Sequence, residues 1–166
     1  VTGGARGYAT LCAALRRIGA VAARPLGDPE EIAVMFDKRL CHARLSAAGV
    51  PVPPALPEVS GFAGLRARMA EVGWARVFVK PAHGSSASGV IALQTAGSRV
   101  KAVTSADLGA DGVLRNSLRM RSYETWASVA AVLSALAPEG LHVERWMPKA
   151  SVHGRVFDLR VVVVGG

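Results

Sequence analysis

Residues 77–90 read VFVKPAHGSSASGV, a short apolar stretch that ends in a lysine and is followed by a turn of small residues. The three apolar residues at its start favour a β-strand, and Pro81 prevents the strand from continuing its hydrogen-bond ladder. The glycines and serines of residues 84–89 leave backbone amides free to approach an anion, and Lys80 would supply a matching positive charge. The stretch therefore indicates either a grip for the phosphates of a nucleotide or an ordinary loop after a strand.

The composition is that of a folded protein. Of the 166 residues, 51% are hydrophobic, which is ample for a core in one domain or in two small lobes. No apolar run approaches the roughly 18 residues that a membrane span requires, so we expect a soluble protein without a membrane partner. The first residues, VTGGARG, lack the features of a secretory signal and do not begin with methionine, and we interpret the chain as a fragment or a processed form.

The two cysteines do not form a recognisable site. Cys12 and Cys41 lack a CxxC neighbour, and His42 lacks the second ligand pair that a zinc site would need. Two buried, reduced thiols are the expected arrangement. Reduced thiols fit a cytoplasmic location.

The formal net charge is +8, and a basic protein attracts phosphate backbones whatever its fold. The excess is nevertheless spread over both halves of the chain without a basic run, and the one local cluster is Arg115, Arg119 and Arg121. A solvated strand face explains such a cluster. Nucleic acid is thus the less favoured partner, and a basic nucleic-acid-binding module stays open as the alternative function.

Hydrophobic periodicity and turn residues divide the chain into helices and strands. Apolar residues at helical spacing predict helices, whereas runs of β-branched residues bounded by glycine or proline predict strands. The predicted helices are residues 8–18, a short helix after Asp28, 38–49, 62–72 and 124–136. The predicted strands are 76–80, 90–94, 100–104, 114–120, 141–147 and 156–164, with an antiparallel hairpin turn at 95–99.

Two aspartates mark helix starts. Asp28 is the predicted N-cap of one helix, with Pro29 in its first turn and Glu31 as the side chain that returns to the cap in a capping box. Asp37 is predicted to cap the next helix. That helix ends at Gly49, because glycine readily adopts the left-handed conformation that follows many helices.

The common nucleotide-binding motifs are missing from the sequence. Neither GxGxxG nor GxxxxGK[ST] occurs, so the Rossmann and P-loop routes to nucleotide binding are unsupported. The final strand runs into Gly165 and Gly166, which are typical of a hairpin turn. We therefore expect a return strand, and part of the fold, beyond the last residue.

Four segments, taken in order, carry a family resemblance. They are FDKRLCHARLSAAGVPVPPAL at 36–56, VFVKPAHGSSASGV at 77–90, HVERWMPK at 142–149 and FDLRVVVVGG at 157–166. Together they resemble the ATP-grasp superfamily of carboxylate ligases, over residues from about Asp28 to the end. Because of the DLR strand, they look most like the branch that contains glutathione synthetase and the ribosomal protein glutamate ligases.

The resemblance implies an α+β, ATP-grasp-like fold in which antiparallel sheets with flanking helices form two lobes, the second of them truncated. Residues 1–26 would be the end of an N-terminal domain that precedes the ATP-grasp part. Residues 27–138 would be linker helices and the small ATP-binding lobe, and residues 139–166 the incomplete start of the second lobe.

The resemblance also assigns roles at the phosphates of ATP. Lys38 would approach the α-phosphate, and Lys80 would bridge the α- and β-phosphates. Arg160 would act catalytically on the phosphoryl group that is transferred. The mobile loop that closes over the β- and γ-phosphates would consist of Gly84, Ser85, Ser86 and Gly89. Read without the resemblance, Lys38 is more simply explained as a surface lysine at a helix start.

Four further residues would bind the nucleoside. Glu144, Arg145 and Met147 match the hinge between the lobes, where backbone groups read the adenine edge and the methionine covers the ring. Asp158 would serve the ribose hydroxyls or the hinge. The plainer alternative is that Glu144 and Arg145 alternate on an exposed edge strand and that Asp158 pairs with Arg160 on one strand face.

The activity implied by the resemblance is ATP-dependent joining of a carboxylate to an amine. The carboxylate attacks the γ-phosphate, the amine takes the acyl phosphate that results, and magnesium neutralises the phosphates. No metal ligand is assigned, because the family's ligands follow the DLR hairpin, beyond Gly166. We therefore expect the chain to be inactive alone, and a relative that binds nucleotide without catalysis is a further alternative. The carboxylate, the amine and the oligomeric state are not assigned.

Overall fold

The computed structural model describes residues 4–21, 27–84 and 87–162. Its helices are α1 (Gly4–Val21), α2 (Pro29–Phe36), α3 (Lys38–Ala47), α4 (Gly61–Glu71) and α5 (Trp126–Leu136), the last followed by a 3₁₀ turn (Ala137–Glu139). Its strands are β1 (Arg76–Pro81), β2 (Ile91–Ala96), β3 (Arg99–Leu108), β4 (Leu114–Tyr123), β5 (Leu141–Arg145), β6 (Ser151–Val152) and β7 (Arg155–Val156).

Five strands form one antiparallel sheet in the order β4-β3-β2-β1-β5. The first four follow each other along the sheet, and α5 then carries the chain from β4 at one edge to β5 at the other. In β1, Phe78 lies opposite Ala92 of β2 on one side and opposite Glu144 of β5 on the other. The predicted α+β class, with an antiparallel sheet and flanking helices, is confirmed.

The core lies on one face of this sheet. Burial alternates along β1, so that Val77 and Val79 are fully buried while Phe78 and Lys80 project from the opposite face. Helices α4 and α5 cover the buried face with apolar side chains at helical spacing. Among these are Leu65, Met69, Val129, Val132, Leu133 and Leu136. The opposite face is thereby left for the candidate site.

The predicted helix caps are largely confirmed. The Asp28 carboxylate accepts hydrogen bonds from the backbone N–H groups of Glu30 (2.7 Å) and Glu31 (3.4 Å), and Asp37 caps α3 in the same way. The side chain of Glu31, however, pairs with Arg44 of α3. The predicted return to the cap is therefore wrong, because a neighbouring guanidinium captures that carboxylate.

Helix α1 is longer than the predicted 8–18. Two hydrogen bonds attach its first turns to other parts of the chain. The backbone N–H of Ala5 donates to Glu139, and the Tyr8 hydroxyl donates to the carbonyl of Ala33 in α2.

Cys12 and Cys41 are free thiols of intermediate exposure, so the prediction of buried thiols is wrong. In the described ranges, no helix combines the length and the hydropathy needed to cross a bilayer.

The long strand predicted at 156–164 is wrong within the described residues. Arg155 and Val156 instead pair with Ser151 and Val152 in a short hairpin, whose turn residues His153 and Gly154 both have positive φ (50° and 73°). Residues 157–162 are exposed and have no strand partner among the described residues, despite their β-propensity. A strand needs a neighbour as well as propensity. Residues 163–166, with the predicted turn, lie outside the described residues.

Candidate functional site

A cleft of about 580 Å³ opens on the face of the sheet opposite the core. It is formed by side chains of β1, the N-terminal end of α3, the end of β5 with the segment that follows it, and the C-terminal part of the loop after β1. Six residues that the sequence assigned to nucleotide binding line it: Lys38, Lys80, Glu144, Arg145, Met147 and Asp158. Pro53, Phe78, Ala87, Val90 and Lys149 complete the lining.

A chain of polar contacts positions Lys80. Its ammonium pairs with the Glu144 carboxylate, whose other oxygen is 2.8 Å from Nε2 of His142. Lys80 lies opposite His142 in the β1–β5 ladder, so the contact with Glu144 is a diagonal cross-strand pair. Burial by itself raises the pKa of Glu144, but the hydrogen bonds from His142 and Lys80 outweigh it and lower that pKa to about 2.

Lys38 reaches the same cleft from the start of α3. Its backbone N–H donates to the carbonyl of Ala82 (2.9 Å), and its ammonium donates to the carbonyl of Gly84 (2.8 Å). Burial lowers the pKa of Lys38, and the positive charge of Lys80 lowers it further. Two mutually repelling ammonium groups thus face one cavity, which is an arrangement that an anion would relieve.

The loop after β1 begins and ends with residues of positive φ. Gly84 has φ +100° and Gly89 has φ +71°, which suits glycine, and Ala87 also has a positive φ of 55°. The ring of His83, just before the loop, stacks on Tyr8 of α1 at a centroid distance of 4.0 Å. Ser85 and Ser86, the other two predicted loop residues, lie outside the described residues.

The predicted hinge is partly committed to other contacts. The backbone N–H of Arg145 donates to the carbonyl of Pro54 (2.8 Å), and that of Trp146 donates to the carbonyl of Arg76 (3.2 Å). These two donors are therefore not free to read an adenine edge. The side chain of Met147 is 45% exposed and borders the cleft, where it can cover an aromatic ring.

The two residues predicted to share a strand face do not do so. The Asp158 carboxylate pairs with Lys149 across the short β6–β7 hairpin, at the rim of the cleft. Arg160 lies in the exposed segment 157–162 and does not line the cleft. Neither a strand that carries both residues nor a surface bridge between them is therefore present.

Sequence reasoning missed His142 and Phe78. A signal for both was available: His142 precedes Glu144 by two residues, and Phe78 precedes Lys80 by two, so each pair shares one face of its strand. His142 is buried, and its ring lies 5.2 Å from the ring of His42. Phe78 supplies an apolar wall next to the charged groups.

The described residues do not include a metal site. Within 4–21, 27–84 and 87–162, no group of three or more His, Cys, Asp or Glu side chains is placed to hold a metal ion.

Comparison with protein-family models, with curated proteins and with solved structures finds no match for this chain. The inference of function therefore depends on the cleft itself.

Proposed function

We propose that this chain carries the ATP-binding site of an ATP-dependent carboxylate–amine ligase with an ATP-grasp-like, two-lobed fold. The observation that supports it best is the convergence of Lys38 and Lys80 on one cleft. These lysines are 42 positions apart in the sequence and lie on a helix and a strand. The family resemblance predicts that the two lysines lie close together, whereas no local sequence feature does.

The charges of the cleft fit a triphosphate. Polyphosphate binding needs cations held in place before the ligand arrives, since such groups do not have to reorganise during the reaction. Glu144 holds Lys80, and the carbonyl of Gly84 holds Lys38. A bound phosphate oxygen would replace the carbonyl at Lys38 and share Lys80 with Glu144.

The apolar part of the cleft fits a purine. Phe78 and Met147 border it, and aromatic rings are commonly bound between such side chains with a few polar groups fixing their orientation. ATP, when bound, would supply the phosphoryl group that activates a carboxylate. The chain's own task is then to orient that phosphate through its two lysines and to close the loop 84–89 over it, which excludes water from the activated acid.

The described residues do not fit magnesium. Glu144 is engaged with Lys80 and His142, and Asp158 with Lys149, so neither carboxylate is placed to coordinate an ion in the cleft. We assign no step to a metal. The two lysines are the cations on which phosphate binding in this cleft depends.

Calorimetric titration with a non-hydrolysable ATP analogue tests the proposal. Lys80→Ala is expected to weaken binding by about tenfold or more, because a charge-assisted contact to phosphate is worth roughly 1.5–3 kcal/mol. Lys101→Ala is the matched control: Lys101 is also a strand lysine paired with a glutamate, Glu124, but outside the cleft. Equal affinity of Lys80→Ala and the parent chain would show that the assignment of the cleft is wrong.

A further inference from the structure

The three tryptophans of the chain lie together, and each has an arginine against its ring. The guanidinium of Arg66 lies 4.4 Å from the ring centroid of Trp126, and that of Arg145 lies 5.9 Å from Trp74. The guanidinium of Arg76 lies 5.9 Å from Trp146. Such cation–π contacts hold the charge beside an aromatic surface without neutralising it.

Among the described residues, these three arginines are the ones whose guanidinium groups lie against tryptophan rings. Among the described residues, none of the three forms an ion pair with a carboxylate. Several arginines elsewhere do: Arg39, Arg44, Arg68, Arg115 and Arg121. The sequence cluster that first suggested a basic surface is thus largely neutralised by Asp107 and Asp111, whereas the arginines beside tryptophans keep their charge available.

The tryptophans line two adjoining hollows of about 290 Å³ each. One hollow contains Arg66 and Trp126, the other contains Arg76, Arg145 and Trp146, and Trp74 lines both. We call the two hollows together the tryptophan groove. Each is near the lower end of the size range of small-ligand sites, so each suits a single ring.

We propose that the tryptophan groove binds single-stranded nucleic acid. Aromatic side chains stack on unpaired bases whatever the sequence, and unpaired guanidinium groups attract the phosphates between them. The planar guanidinium group of arginine also stacks on bases. A duplex would not fit this chemistry, because its bases are stacked on each other and are not available to the tryptophans.

The groove is separate from the cleft in most of its residues. The two regions share Arg145 and Met147, but Arg66, Arg76 and Trp126 line only the groove. Tests on Arg66 and Arg76 therefore report on the groove and leave the lysines of the cleft intact. Failure of this proposal and failure of the ATP site are distinguishable.

Intrinsic fluorescence is a direct probe, because the three tryptophans of the groove are the only three in the chain. Titration of the full chain with a single-stranded homopyrimidine of about ten nucleotides, within the usual range of site sizes, is expected to quench this fluorescence to saturation. With three phosphate contacts, the logarithm of the affinity should fall against the logarithm of the salt concentration with a slope of about −2.

Two double variants separate the groove from net charge. Arg66→Gln with Arg76→Gln is expected to weaken binding by roughly tenfold or more at low salt and to reduce the slope to about −0.7. Arg115→Gln with Arg121→Gln removes the same charge from a strand face outside the groove and should change affinity by less than about threefold. Circular dichroism of both variants checks that they are folded.

Three results would overturn the proposal. One is equal affinity for a duplex of the same length, which would mean attraction by net charge. Another is an equal loss in both double variants. The third is quenching by a mononucleotide, at the same concentration as the oligonucleotide, that persists in Lys80→Ala and is lost in the Arg66→Gln, Arg76→Gln variant, which would make the groove a small-ligand site.

Discussion

The two ends of strand β1 carry positive charge in opposite ways. At its C-terminal end, the ammonium of Lys80 is paired with Glu144, which is held in turn by His142. At its N-terminal end, Arg76 lies against Trp146 with no carboxylate partner among the described residues. A paired, partly buried cation is fixed in position, and removing its partner is destabilising, whereas an exposed unpaired cation contributes little to stability but attracts anions from a distance.

The largest expected effect follows from removing the carboxylate at the paired end. Glu144→Gln should lower the free energy of unfolding at neutral pH by up to about 3 kcal/mol, since a pKa lowered from 4.5 to about 2 corresponds to that much stabilisation of the charged form. Only 15% of the side chain is exposed, so solvent screens the interaction weakly. Urea unfolding at neutral pH measures the difference.

The pH dependence of this effect has a definite sign. The folded pKa of Glu144 lies below the unfolded one, so its stabilisation is complete above about pH 4.5 and is lost as the pH falls towards 2. The unfolding free energies of the parent chain and of Glu144→Gln should therefore converge across that window. A constant difference from pH 7 to pH 2 would mean that the variant acts through packing and not through charge.

His142→Asn tests the outer member of the same chain of contacts. The variant removes the bond between Nε2 and Glu144, and hydrogen bonds to charged groups contribute roughly 1.5–3 kcal/mol, so we expect a loss of about 2 kcal/mol. His153→Asn is the control, because His153 is an exposed histidine in the β6–β7 turn, where asparagine tolerates the positive φ of 50°. An equal loss in both variants would show that His142 does not act through Glu144.

Much of the local structure at the cleft is predictable from sequence. Asp37 before Lys38 fixes the start of α3, and the alternation around Lys80 fixes which side chains leave the core face, because both signals act within a few residues. The strand prediction for segment 157–162 was wrong because strand pairing, unlike those two signals, depends on residues far away in the sequence. Its apolar residues favour a strand, but pairing depends on a distant neighbour that propensity does not specify.

The tryptophan groove could not be predicted from sequence at all. Arg66 and Trp126 are 60 positions apart, and they meet only because α4 and the start of α5 pack side by side over the sheet. The cluster at Arg115, Arg119 and Arg121 lies on an exposed strand face, as predicted, and the acids that pair with two of its members lie on the neighbouring strand and turn. Charge runs in a sequence do not show which charges are neutralised after folding.

The smallest expected effect lies at the unpaired end and completes the comparison. Arg76→Met keeps an apolar stem against Trp146 but removes the cation, and an exposed cation–π contact contributes about 0.5–1 kcal/mol, so the loss of unfolding free energy should not exceed that. Because no carboxylate is left behind, the loss should be independent of pH between 4 and 7, unlike that of Glu144→Gln. Urea unfolding of Arg76→Met at the two pH values checks both points. A loss as large as that of Glu144→Gln would mean that the arginines of the groove are structural, and the contrast between the two ends of β1 would fail.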